Sequence, residues 1–231
     1  MNDPIVFVPG LLCTEALYAP QIAAFADRPI LVANTREDDS IAAIAARLLE
    51  EAPNRFSLIG LSMGGYVAME ILRTAPGRVS RVALLNTSAH ADSEDQKKRR
   101  SVSIKLARQR SFAKVPDLFY AGFVHEKNDD NEHLKSIVTE MALETGPEAF
   151  VHQQTAIANR IDSRPSLSAI PCPALVLSGD GDRLIPPALS VEIHHLIPGS
   201  ELAIVNDCGH LSTLEEPGTV TAKLRNFLNR P

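Results

Sequence analysis

Short apolar runs, each closed by turn-forming residues, alternate along this chain with longer stretches of helical periodicity. That alternation predicts parallel strands joined by crossover helices. The strands are expected at Pro4 to Val8, Ile30 to Ala33, Phe56 to Leu61, Val79 to Leu85, Ala174 to Ser178 and Glu201 to Val205. Most are apolar at nearly every position, as strands covered on both faces are. Between them, Ser40 supplies an N-cap to a helix reaching Glu51, and Tyr66 to Thr74 continues another until Pro76 and Gly77 stop it. Thr213 to Asn229 reads as a C-terminal helix.

One region breaks the alternation. From His90 to Pro165 no convincing strand occurs and the pattern is helical, polar and richer in charge. Residues 1–89 and 166–231 are therefore expected to form one α/β core, with 90–165 as a helical insertion serving as a lid. Its first helix opens with Ser93 and Gln96 in capping-box spacing and with Glu94 and Asp95 in the first turn. Amphipathic pieces follow at Phe112 to Val124, Asn131 to Leu143 and Pro147 to Ile161.

A chain of 231 residues is long enough for one sizeable domain, and 45% hydrophobic with 22% charged residues is ordinary globular composition. The net charge of −5 gives no electrostatic reason to expect nucleic acid or an anionic membrane as partner. Near Met1 there is neither a basic segment followed by an apolar stretch nor a run long enough to span a bilayer, so a cytoplasmic location is expected. Cys13, Cys172 and Cys208 are odd in number and scattered, which fits free thiols better than a disulfide framework or a zinc knuckle. Asn86-Thr87-Ser88 matches a glycosylation acceptor, a reading that needs a secreted chain, and a chance match is expected.

Gly60-Leu61-Ser62-Met63-Gly64-Gly65 lies between an expected strand and an expected helix. A serine in so tight a strand-to-helix turn adopts a strained backbone, and side chains two residues to either side would clash. Gly60 and Gly64 remove them. The turn exposes the hydroxyl and aims the helix N-terminus at it, so the N–H of Met63 is a natural donor to an oxyanion.

A serine hydroxyl needs a base, and the base needs an orienting group. Both arrive downstream in the order Ser, Asp, His. Gly179-Asp180-Gly181-Asp182-Arg183-Leu184-Ile185-Pro186 follows one strand, and Asn206-Asp207-Cys208-Gly209-His210 follows the last, both at the carboxyl ends where open parallel sheets place their sites. His210 is the histidine set at a strand terminus; His90, His125, His133, His152, His194 and His195 lie in or near helical segments. Asp182 competes with Asp180, which sits in the glycine-flanked turn, and with Asp207, which is close to His210 in sequence.

Motif, order and spacing together resemble the α/β-hydrolase superfamily over nearly the whole chain, most closely its small lidded serine carboxylesterases and enol-lactonases. The acid loop resembles the family pattern of a glycine, a catalytic aspartate three residues on and a later proline, which selects Asp182. Gly209 to Pro217 is similar to the family's histidine loop running into its final helix, where Glu215 is expected to be structural. The resemblance also implies a second oxyanion donor, the N–H of Leu11 in Pro9-Gly10-Leu11, with Pro9 standing where many members carry histidine. The same loop puts Leu12 and Cys13 near the pocket, Cys13 in a packing role. The usual fold carries two more strands before this point, one antiparallel. The expectation here is an open, all-parallel sheet of six strands with helices on both faces.

Lys97-Lys98-Arg99-Arg100, with Lys105, Arg108 and Arg110, makes the first helix of the insertion basic. Glu94 to Lys98 and Asp95 to Arg99 have favourable spacing for ion pairs, so a solvated face is expected. The sharper reading is docking of an anionic partner, since the superfamily includes esterases whose substrate rides on an acyl carrier protein. Phe112, Leu118, Phe119, Phe123 and Phe150 are candidates for an acyl pocket under the lid, Phe119 and Phe123 first among them. No metal-ligand cluster or phosphate-binding loop is visible, so the chemistry is expected to need no cofactor.

The resulting expectation is a serine hydrolase of a small to medium carboxylic ester, acting through an acyl-enzyme on Ser62. An enol-lactone, thioester or carbon–carbon bond is the alternative for the same triad. A ligand receptor with slow turnover is the rival from another class.

Overall fold

The computed structural model describes residues 3–108 and 112–230. Six strands form one sheet: β1 (Ile5–Val8), β2 (Ile30–Val32), β3 (Phe56–Leu61), β4 (Val79–Leu85), β5 (Ala174–Gly179) and β6 (Glu201–Val205). Their order is β2-β1-β3-β4-β5-β6 and all five neighbouring pairs are parallel, with Val8 opposite Gly60 and Leu61 opposite Leu85. The expected sheet is the observed one. Every residue of β1, β3 and β5 is buried, so both faces of the central sheet are covered, as their apolar sequences require. Phe7 and Phe56 are fully buried, and each such side chain contributes about 1.5–3 kcal/mol of transfer free energy.

The helices are α1 (Ala19–Ala24), α2 (Ile41–Glu51), α3 (Met63–Thr74), α4 (Glu94–Leu106), α5 (Val115–Phe123), α6 (Glu132–Ala158), α7 (Arg164–Leu167), α8 (Pro187–Leu196), α9 (Ser212–Glu215) and α10 (Pro217–Leu228). Within the core, α2 packs on α3 and α1 on α10. Ser40 caps α2 through a bond from the Ala43 N–H to its hydroxyl, 3.1 Å, and Ser93 and Gln96 form the expected capping box of α4. Gly146 (φ 76°, ψ 168°) breaks α6 just before Pro147, so the two amphipathic pieces read from the sequence meet end to end.

Several expectations need correction. Helix α3 begins at Met63, three residues before Tyr66, because the elbow serine is itself the N-cap. The C-terminal helix is two: Glu216 precedes Pro217, a position biased away from helical dihedrals, and the chain turns there (φ −129°, ψ 57°). Helices α1 and α8 have no counterpart in the sequence reading; each begins at a proline or one residue before one, which reads as a loop but suits a first helical turn. On α4 the ion pairs join Glu94 to Lys97 and Asp95 to Lys98, one residue closer than expected. Arg110 lies outside the described residues.

Chain direction positions the site. From β1 the chain crosses to β2 at one edge, returns to β3 on the other side of β1, and then proceeds outward through β4, β5 and β6. The strand order reverses between β1 and β3, and a crevice opens at such a switch point. The loop Pro9 to Cys13 leaves β1 there and Ser62 leaves β3.

Candidate active site

Ser62 adopts φ 57° and ψ −116°, a left-handed conformation that costs a non-glycine residue on the order of 1–3 kcal/mol. Its surroundings hold it there. Its N–H donates to the Leu85 carbonyl at 2.9 Å, and its own carbonyl accepts from the Gly65 N–H at 2.9 Å and the Thr87 hydroxyl at 2.8 Å. A Cβ on Gly60 would fall on the Gly64 carbonyl, and one on Gly64 on the Val8 carbonyl, so the turn closes only with glycine at both positions.

His210 follows β6 and is 2% exposed. Its Nδ1 lies 2.8 Å from Asp182 Oδ2, and the Phe123 ring stacks on it with 6.0 Å between centroids. Asp182 is tied on both oxygens. Oδ1 accepts from the N–H groups of Leu184 (2.9 Å) and Ile185 (2.8 Å), while Oδ2 also accepts from the Asn86 amide at 3.0 Å. Burial alone would raise this carboxyl, but the charge and hydrogen bond of His210, with the Ile185 N–H and the Asn86 amide, hold it below the usual carboxylate range.

The two competing aspartates are placed elsewhere. Asp180 accepts from the Cys208 N–H at 3.2 Å and so ties the acid loop to the histidine loop, while Asp207 is exposed at a left-handed turn (φ 52°). Glu215 accepts from the His125 N–H at 2.7 Å and the Asn128 amide at 2.9 Å, fastening the segment after α5 to the histidine loop. Burial pushes its carboxyl up against those two donors.

Ser62, His210, Leu11, Phe119 and Phe123 line one cavity of about 320 Å³, within the range of a small-molecule site. Among the described residues no hydrogen bond joins Ser62 to His210; contacts of this kind are commonly loose until substrate binds. Gly10 approaches the elbow so closely that a Cβ there would lie 3.3 Å from Ser62 Cβ. Met63 opens α3, so its N–H has no acceptor within the helix.

Leu12 departs from expectation. Its side chain is buried, it does not line the cavity, and its N–H donates to Gln153 Oε1 at 3.0 Å. Gln153 in turn donates to the Thr35 carbonyl and hydroxyl at 3.3 and 3.2 Å, so α6 braces the loop after β1. Of the other aromatic candidates, Phe150 and Phe112 are buried against each other, and Leu118 is 64% exposed. Cys13 lines the cavity, and its thiol is pushed up to about 12 by burial, against the backbone of Gly10, consistent with packing rather than chemistry.

Sequence reasoning missed three groups. Asn86, read as a chance sequon, is buried with φ 45°; it reaches Asp182, the Gly209 carbonyl (3.1 Å) and the Ser212 hydroxyl (2.6 Å). Its position at the carboxyl end of β4 was the available signal. Arg100, grouped with the solvated basic face, instead lines the cavity and pairs with buried Asp92, and Arg160 meets the same carboxylate. Nothing in the local sequence distinguishes those two arginines from surface ones. Among the described residues, no group of three or more His, Cys, Asp or Glu side chains could hold a metal ion, and no helix is long and apolar enough to cross a membrane.

A family model described as the alpha/beta hydrolase fold matches residues 24–217, and the chain belongs to that family. The curated relatives it matches include hydrolases. A 2-hydroxymuconate semialdehyde hydrolase of Pseudomonas putida is 24% identical over 182 residues, which are 74% of this chain and 61% of that protein. The matched part therefore spans somewhat less than two thirds of that relative. A pimeloyl-acyl-carrier-protein methyl ester esterase of Vibrio parahaemolyticus is 24% identical over 196 residues, 82% of this chain and 76% of that one. Among solved structures, a thermophilic esterase of Thermogutta terrifontis superposes with a TM-score of 0.89 at 26% identity, covering 99% of this chain and 90% of its own.

Proposed function

We propose that the protein is a cofactor-independent carboxylic ester hydrolase working through an acyl-enzyme on Ser62. The carrying observation is the position of His210: one ring nitrogen is held 2.8 Å from Asp182, and the ring lines the cavity that Ser62 also lines. Asp182, held ionised by its donors, fixes the tautomer with the proton on Nδ1. Nε2 is then free to take the Ser62 proton as the hydroxyl attacks the substrate carbonyl.

The tetrahedral oxyanion is received by the N–H groups of Met63 and Leu11. Collapse expels the alcohol, which takes its proton from His210. Water enters, His210 deprotonates it, and a second tetrahedral intermediate releases the acid and restores Ser62. A lactone would follow the same steps with its alcohol still tethered. Residues 90–165 act as the lid: α4, α5 and α6 contribute Gln96, Arg100, Phe119, Phe123 and Ile157 to the cavity wall, excluding water from the acyl group.

A turnover screen over esters, thioesters and lactones, with Ser62→Ala as the blank, tests this reading. Ester or lactone turnover reduced on the order of 10⁶-fold by the substitution is expected. Equal turnover by the two proteins removes Ser62 from the mechanism.

A further inference from the structure

We propose that the substrate is anionic, an ester or lactone carrying a free carboxylate, and that Arg100 and Arg160 form the subsite that binds that carboxylate. This rests on the reading of Ser62 as the acyl-transfer centre and names the class of substrate that centre takes.

Among the described residues, the cavity lining holds Arg100 and Arg160 and no aspartate or glutamate. One carboxylate stands behind the two guanidinium groups. Asp92, its side chain fully enclosed, accepts from Arg100 on both oxygens, Nε to Oδ2 and Nη2 to Oδ1, and from Arg160 Nη1 on Oδ1. Two cations against one anion leave a surplus positive charge in a confined space, and an anionic substrate group neutralises it.

Both guanidinium groups are oriented before any ligand arrives. Arg160 donates from Nε to the His90 carbonyl at 2.8 Å and from Nη1 to the Ile157 carbonyl at 2.9 Å, and its Cζ lies 4.2 Å from the centroid of the Tyr66 ring. Among the described residues its Nη2 makes no hydrogen bond. Arg100 donates from Nη1 to Gln154 Oε1 at 2.8 Å and keeps 20% of its side chain exposed. With their planes fixed in this way, the N–H groups left over, both on Arg160 Nη2 and one on each Nη of Arg100, can donate to a substrate carboxylate.

A second observation points the same way. A surface depression shares Gln96, Arg100, Phe119 and Leu184 with the cavity and adds Lys98, Arg99 and Arg183, again with no carboxylate among the described residues lining it. Lys98 pairs with Asp95 and Arg183 with Asp129, which leaves Arg99 and the cavity arginines as the excess positive charge beside the entrance of a chain whose net charge is −5. Such a field draws anions toward the cavity. A purely structural Arg-Asp-Arg tie between α4 and the end of α6 would require neither exposure to the cavity nor a basic approach.

The test compares mono(4-nitrophenyl) esters of the linear dicarboxylic acids from succinate to suberate, each with one free carboxylate, with their methyl-capped neutral counterparts, reading nitrophenolate release. Wild-type protein is expected to favour the anionic member of at least one pair by about tenfold or more in kcat/KM. Arg100→Gln is expected to lower that ratio by about 10–100-fold, and Arg100→Lys, which keeps charge but not the fork, by less.

Because Arg100→Gln also touches Asp92, circular dichroism must show it folded. Independently, wild-type protein should be inhibited competitively by the free dicarboxylate more strongly than by the matching neutral amide, an advantage that fades with added salt. Ratios at or below one across the series, or a preference unchanged in both Arg100 variants, overturn the subsite while leaving the hydrolase reading intact. Absence of turnover on every ester, with Ser62 unlabelled by a fluorophosphonate, removes the hydrolase reading and the subsite with it.

Discussion

Asn86 donates to the same oxygen of Asp182 that faces His210, at 3.0 Å against 2.8 Å for the histidine. One carboxylate oxygen thus couples the end of β4 to the loop after β6, and the Asn86 amide also holds the Gly209 carbonyl next to His210.

Removing that amide should therefore disturb the histidine without touching substrate. Asn86→Ala leaves the Gly209 carbonyl and the Ser212 hydroxyl without this buried partner, at a cost of about 1–3 kcal/mol for each group left unsatisfied. A lower melting temperature is expected, with kcat down by about tenfold and KM less affected. Thermal unfolding together with ester kinetics checks it; unchanged values for both would deny Asn86 a positioning role.

The depressed carboxyl of Asp182 predicts a particular pH dependence. A carboxyl lower in the folded than in the unfolded state contributes stability that is fully present above its unfolded value of about 3.9 and is lost as pH falls through the lower folded value. Asp182→Asn should flatten this part of the acid-denaturation curve and reduce kcat by about 10⁴ at neutral pH, the cost seen when a triad aspartate is replaced by its amide. Denaturant melts from pH 2 to 7 and steady-state kinetics measure the two effects. A curve as steep as wild type's below pH 4 contradicts the first.

Cys13 and Cys208 should be inert in the native protein. Burial raises the thiol of Cys13 to about 12 and that of Cys208 also upward, so neither supplies appreciable thiolate near neutrality. Iodoacetamide at pH 8 should leave both unmodified until denaturant is added, as peptide mass spectrometry would show. Rapid native alkylation of Cys13 would mean that the loop after β1 opens.

Legibility in the sequence followed how local each feature is. Strand positions came through because the apolar runs end at turn residues such as Pro9, Asn34, Asn86, Gly179 and Asn206, and Ser62, Asp182 and His210 could be singled out as candidates because each follows a strand, Asp182 with the help of the family pattern. The helix at Pro187 did not, since paired prolines look like a loop until the preceding turn is seen to end there. Leu12 was misplaced because a residue's neighbours in sequence do not reveal that Gln153, 141 positions away, takes its N–H and turns the loop. The contributions of Asn86, Asp92 and Arg160 are likewise relations between distant elements, and spacing along the chain carries no record of them.

The nucleophilic role of Ser62 is tested most directly by peptide mass spectrometry after exposure to a fluorophosphonate. Stoichiometric phosphonylation of the peptide bearing Ser62 is expected, abolished in Ser62→Ala and slowed by orders of magnitude in His210→Ala. Labelling on another residue, or undiminished labelling in Ser62→Ala, would contradict the account.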